Sequence, residues 1–210
     1  GSNSIAVAEH VVALMFAESK NLYTSIRDVK NHGWNKPTGR EINGKTLGII
    51  GFGQIGKHLA QFAVGLGMKV LAYDVFEIPD EVAEQYHVTK ATQDEIIENS
   101  DFISLHVPLL DSTRDMISAK ELKRMKKDAC LINAARGGIV NEKDLYEALV
   151  NHEIRSACFD VYSDEPPKAD DPLVALDNFL LTPHTAARSK ESERRTCEMS
   201  SQIVMEQLLG

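Results

Sequence analysis

The sequence is poor in three things, and each shortage narrows what it can be. Cysteine occurs three times in 210 residues, at Cys130, Cys158 and Cys197, with no two at CxxC spacing. No disulfide framework and no metal site is therefore expected; Cys130 and Cys158 fall inside apolar runs and read as buried free thiols of a reducing, cytoplasmic compartment. Long hydrophobic runs are missing too. The best candidate, Ile5 to Ala17, is interrupted by Glu9 and His10 and falls short of the roughly 20 apolar residues that cross a bilayer, so neither a membrane partner nor a signal peptide is expected. Positive charge is the third deficit: 23 Lys and Arg stand against 31 Asp and Glu, a net charge of -8. An acidic surface repels phosphate backbones, and the short cluster from Lys123 to Lys127 is flanked by acids, so nucleic acid is not an expected partner.

What remains is an ordinary globular composition, 43% hydrophobic and 26% charged, long enough to bury a core without staples. Residues Ser4 to about Asn31 read as one long helix. Its first turns (Ile5, Val7, Val11, Val12, Leu14, Met15, Phe16) are apolar almost all round, so it must be buried in a core or against another chain. His32 to Pro37 forms a loop. From Lys45 onward short apolar runs suited to buried strands appear at Thr46–Ile50, Lys69–Tyr73, Phe102–His106, Ala129–Asn133, Ser156–Asp160 and Phe179–Thr182. Helical segments lie between them at Gln54–Gly67, Gln93–Asn99 and Glu142–Asn151, with a further small strand expected near Tyr86–Thr89 and a last helix over Ser189–Leu209. Strands alternating with helices pair in parallel through right-handed crossovers, which predicts an α/β fold with a doubly wound parallel sheet.

The first strand leads into Gly51-Phe52-Gly53-Gln54-Ile55-Gly56, and a helix follows. Gly51 permits a tight turn, Gly53 lets the backbone approach a pyrophosphate, and Gly56 lets helix and strand pack closely. The helix offers N–H groups, from Gln54 and Ile55 onward, and the positive end of its dipole to phosphates. The next strand ends in Asp74, placed to accept hydrogen bonds from ribose hydroxyls and to repel a 2′-phosphate; no Arg follows it, so NAD is expected rather than NADP. A lone GxGxxG is weak evidence, but between a strand and a helix it has the context that it requires.

Ligands of open parallel sheets bind beyond the carboxyl ends of the strands. There the sequence places His106-Val107-Pro108, then Asn133 to Gly138, then Asp160-Val161 with Glu165 further on, and finally Thr182-Pro183-His184. Singly, each is open to a plain reading: His184 as a loop cap, Arg136 as a turn residue paired with Glu142, Glu165 as a solvated carboxylate.

Together the segments GKTLGIIGFGQIG, LHVPLLDSTRDMI, LINAARGGIVNEKDLYEAL, FDVYSDEPP and LTPHTAA resemble the NAD-binding domain of the D-2-hydroxyacid dehydrogenases, in the order and spacing of that family. The resemblance implies a Rossmann core over residues 44–187, an interdomain or dimerisation helix over 1–31, a closing helix over 189–209, and a substrate lobe of about 100 residues that this sequence lacks. It implies hydride transfer between NAD(H) and a small D-2-hydroxy acid or its 2-keto partner, with D-3-phosphoglycerate as a specific substrate, and a homodimer through the N-terminal helix. It further implies a catalytic set of Arg136, Glu165 and His184. His184 is the acid–base, a role for which imidazole chemistry is suited near neutral pH; Glu165 orients it, and Arg136 clasps the substrate carboxylate. Asp160 holds the nicotinamide carboxamide, while His106, Val107, Pro108, Thr113, Ala134, Arg136 and His184 line the cofactor. His10, His32, His58, His87 and His152 are expected to be surface or packing residues. A non-catalytic NAD-sensing protein like the corepressors of this fold is the alternative.

Overall fold

The strand at Thr46–Ile50 is apolar on both sides because it lies between two layers. Leu47 and Ile49 face one core and Ile50 the other, all three fully buried, as the two-residue period of a strand requires. The computed structural model describes the backbone of residues 3–209 and the side chains of that span apart from 202–204 and 206–209. The strands are β1 (Thr46–Ile50), β2 (Lys69–Tyr73), β3 (Thr89–Lys90), β4 (Phe102–Leu105), β5 (Cys130–Asn133), β6 (Ser156–Phe159) and β7 (Phe179–Leu181). They form a seven-stranded sheet in the order β3-β2-β1-β4-β5-β6-β7, and every pairing is parallel. The chain reverses its direction of winding between β1 and β4, so a crevice opens at their carboxyl ends.

Helices α1 (Ser4–Ser19) and α3 (Gln54–Gly65) cover one face; α5 (Gln93–Asn99), α6 (Ala119–Arg124) and α7 (Glu142–Val150) cover the other. Much of the apolar surface of α1 is covered within the chain: Val7, Ala8, Val11, Leu14 and Met15 are buried in the first core, Val12 and Phe16 are half-buried against it, and Ile5 is exposed. The expected single helix over Ser4–Asn31 is, however, two. Asn21 takes a left-handed φ of 51° before α2 (Leu22–Lys30) begins, a conformation that Asn tolerates better than most residues. The break is held by the returning strand of loop, since the Arg40 N–H donates to Ser19 O at 2.8 Å and the Asn21 amide to Thr38 O at 3.3 Å.

The short α4 (Asp80–Gln85) starts after Pro79, and α6 starts at a Ser118–Glu121 capping box; neither was expected from apolar periodicity. The small strand near Tyr86–Thr89 lies slightly later, at Thr89–Lys90, because Tyr86 closes α4. The last helix, α8 (Lys190–Leu209), has the expected extent. Among the described residues no helix is long and apolar enough to cross a membrane.

At the amino edge of the sheet Glu18, almost fully buried, gathers four donors. Arg40 Nη2 lies at 2.9 Å, Arg155 Nε at 2.5 Å, Ser156 Oγ at 3.0 Å and Ser19 Oγ at 3.4 Å. The Arg40 guanidinium also stacks over the Phe102 ring, 4.3 Å from its centre. Removing one member of such a cluster strands the others in low dielectric. Glu18→Ala is therefore expected to cost about 3–5 kcal/mol, read from urea unfolding; a loss below 1 kcal/mol would mean that water already solvates the cluster.

Candidate active site

The turn after β1 is built by glycines with different tasks. Gly51 has φ 100°, and a Cβ there would collide with the His106 carbonyl oxygen. At Gly56 a Cβ would stand 2.5 Å from Gly51 O, so the helix could not sit against the turn. Gly53 is different: it caps α3 without a side chain, and an added Cβ would meet nothing within 4 Å. Its bareness leaves open space that the protein does not fill. The first intrahelical bond is Lys57 N–H to Gly53 O, so the N–H groups of Gln54, Ile55 and Gly56 precede it and carry the positive end of the helix. These residues fit a dinucleotide's pyrophosphate. Asp74, at the end of β2, accepts from Phe52 N at 2.6 Å and from Phe76 N at 3.1 Å, pinning the glycine turn and keeping lone pairs for a further donor. Val75 and Phe76 beside it are each 80% exposed.

A cleft of about 590 Å³ runs along the carboxyl edge from this turn, within the size range of ligand sites. Ile55 bounds it at the turn, His106, Val107 and Pro108 after β4, Ala134 and Arg136 after β5, and Asp160 and His184 on the far side. A second hollow of about 340 Å³ lies at the amino edge beside Glu18 and Arg155, whose charges already pair with each other. Thr113 is spent on its own turn: its hydroxyl donates to Pro108 O at 2.6 Å and accepts from Leu110 N at 2.8 Å. Among the described residues no group of His, Cys, Asp and Glu is arranged to hold a metal.

The three residues expected to be catalytic meet at this rim. His184 Nδ1 lies 2.7 Å from Glu165 Oε2. Burial pushes the Glu165 carboxyl up, but the hydrogen bonds from His184 and from Tyr162 N, with the charges of His184 and Arg136, outweigh it and hold the pKa below the usual value. Two clamps bring the loops together. Asn133, buried, donates to Arg136 O at 2.9 Å and accepts from Ala135 N at 3.1 Å, fixing the turn that carries Arg136. Gly137 then lies so close to Tyr162 O that no side chain would fit between them. Glu142 accepts from Ser163 N at 2.8 Å rather than pairing with Arg136.

Asp160 is 1% exposed and its oxygens serve the chain. Oδ1 accepts from Thr182 Oγ1 at 2.6 Å and Thr185 N at 2.8 Å, and Oδ2 accepts from Ala186 N at 2.7 Å. The residue thus holds the loop that presents His184, and a carboxamide contact would add to these bonds. One participant was missed. His10, expected to be a surface or packing residue, reaches this cluster with Nε2 2.9 Å from Thr182 Oγ1. Its only sequence signal is that it interrupts an otherwise apolar helix.

His106 shares a hydrogen bond with Ser104 Oγ at 2.8 Å, while its Nδ1 is buried without a partner. Burial lowers its pKa from 6.5 to about 4. A folded-state value below the unfolded one means that stability is complete above the ordinary pKa and is lost as pH falls towards 4. Urea unfolding is expected to lose about 3 kcal/mol through this group between pH 7 and 4, a component absent from His106→Gln. Identical pH slopes for the two chains would refute it.

Residues 12–186 match the family model of the D-isomer specific 2-hydroxyacid dehydrogenase, NAD binding domain. The D-3-phosphoglycerate dehydrogenase of Methanocaldococcus jannaschii is 41% identical over 100% of this chain and 40% of its own length. The hydroxypyruvate reductase of Thermotoga maritima is 38% identical over 93% of this chain and 64% of its own. The chain thus spans 40% and 64% of the length of these two relatives. The structure of D-lactate dehydrogenase from Aquifex aeolicus, complexed with NAD and lactic acid, superposes with a TM-score of 0.90 at 32% identity, covering 100% of this chain and 68% of that one. The chain belongs to the D-isomer specific 2-hydroxyacid dehydrogenase family, of which it is the NAD-binding domain.

Proposed function

We propose that the chain is the cofactor-binding part of an enzyme that moves a hydride between NAD(H) and a D-2-hydroxy acid or its 2-keto partner, with D-3-phosphoglycerate the favoured substrate. The observation that carries this reading is the 2.7 Å His184–Glu165 bond on the cleft that begins at the glycine turn. When bound, NAD supplies the acceptor for the hydride from C2. His184 has Nδ1 engaged by Glu165, so Nε2 is the nitrogen that takes the C2 hydroxyl proton. Glu165 then faces a newly formed imidazolium and stabilises it, as the triad carboxylates of other enzymes do. Arg136 has donors beyond the one given to Ala135 O, and its fork suits a carboxylate. Asp74 favours NAD over NADP, because its charge opposes a 2′-phosphate.

A non-catalytic NAD sensor would account for the glycine turn but leaves the His184–Glu165 pair without a task. The two readings separate in one experiment. The chain alone is titrated with NADH, and a chimera carrying it in place of the matched region of the M. jannaschii enzyme is assayed with a panel of 2-keto acids. Gly53→Val is expected to keep the melting temperature and lose tenfold or more in NADH affinity, about 1.4 kcal/mol. In the chimera His184→Asn is expected to abolish most turnover, on the order of 10²-fold or more, with NADH affinity retained. Binding without turnover in the unsubstituted chimera would sink the dehydrogenase reading in favour of the sensor.

The same reading carries a homodimer, and α2 rather than α1 is its place. Leu22, Tyr23, Ile26 and Val29 are 44–55% exposed at helical spacing, an apolar stripe that a second copy would cover. Sedimentation is expected to show a dimer for the chain and a monomer for Ile26→Asp; equal behaviour of the two would refute this placement. The buried, unlinked thiols of Cys130 and Cys158 support a reducing, cytoplasmic setting.

A further inference from the structure

His184 adopts a left-handed φ of 54°, which a residue with a Cβ enters at a cost. Something must hold it there. The N–H groups of the next two residues, Thr185 and Ala186, converge on the Asp160 carboxylate at 2.8 and 2.7 Å, so the turn closes around an internal anion, as backbone nests do. The direction of the remaining bonds follows from the chemistry. An ionised carboxylate only accepts, so the Thr182 hydroxyl donates its single proton to Asp160 Oδ1 at 2.6 Å. Thr182 Oγ1, its proton given to Asp160, must then accept from His10 Nε2 at 2.9 Å. His10 therefore carries its proton on Nε2, and its Nε2 lies only 3.5 Å from Asp160 Oδ1. This ring projects from α1, 172 positions before Thr182 in sequence.

We propose that His10 is a positioning residue. Through a relay of His10 Nε2–H to Thr182 Oγ1–H to Asp160, helix α1 fixes the turn in which His184 is held. The relay rests on the dehydrogenase reading only for its consequence, since the turn itself can be observed without catalysis.

The test uses the chain as it stands. Ring ¹⁵N shifts at pH 8 are expected to show the His10 proton on Nε2. Amide exchange at Thr185 and Ala186 is expected to quicken about tenfold in His10→Leu, with Ile49 in β1 unchanged. A glutamine amide reaches about as far as Nε2, so His10→Gln restores the slow exchange, whereas the shorter His10→Asn does not. In the chimera, His10→Leu lowers kcat with NADH affinity unchanged, and His10→Gln recovers it. A proton on Nδ1, unchanged exchange in His10→Leu, or equal behaviour of the Gln and Asn variants overturns the proposal. The ring shifts need no substitution, so a proton on Nδ1 overturns the proposal even if His10→Leu does not fold, and the His10→Gln and His10→Asn pair then carries the positive test. A chimera inactive in every form, including the unsubstituted one, counts against the dehydrogenase reading alone, because ring shifts and exchange still report the relay.

Discussion

Seven strands that all run the same way deliver every one of their carboxyl ends to a single edge. That constraint makes a site possible here, because turns far apart in sequence become neighbours without any of them having to travel. The glycine turn follows β1, Arg136 follows β5, Asp160 follows β6 and His184 follows β7. The burial of β1 on both faces leaves the chain no direction but a sharp reversal at Gly51, and the space above Gly53 is a by-product of that reversal.

The polar residues of the rim are arranged by carboxylates in different roles. Glu165 stands behind His184 and is kept ionised by the groups around it. Asp160 faces inward and orders main-chain N–H groups. Asp74 pins the glycine turn to β2. A buried carboxylate is costly unless every lone pair finds a donor, and the short distances at Asp160 show how completely that requirement is met.

Much of this was legible beforehand, and the exceptions have physical causes. The strands β1, β4, β5 and β6 declare themselves because a strand covered on both faces is mostly apolar, and β2 and β7, less fully covered, still carry apolar runs. The approach of His184, Glu165 and Arg136 to one another was legible only through family resemblance, since 48 residues from Arg136 to His184 carry no local sign of contact. The break at Asn21 was hidden because its cause, the Arg40 N–H on Ser19 O, lies outside the helix. Helix α6 has six residues, too few for a periodic pattern, though its Ser118–Glu121 cap was readable. His10 escaped notice for the opposite reason: in a helix that reads as apolar, a single histidine looks incidental until the sheet edge behind it is known.

Helix α1 is fastened twice, by His10 at Thr182 and Asp160 and by Glu18 at Arg155 and Ser156. The eight steps from His10 to Glu18 rise about 12 Å along a helix. From Ser156, where β6 starts, to Asp160, just past its end, the chain spans about 13 Å. The two lengths agree, so the helix and the strand are locked like a ruler held at two marks. Sliding α1 by a single turn would break both fastenings together, and its alignment with the sheet is therefore set by polar matching at its two pins, where apolar packing alone would tolerate a shift.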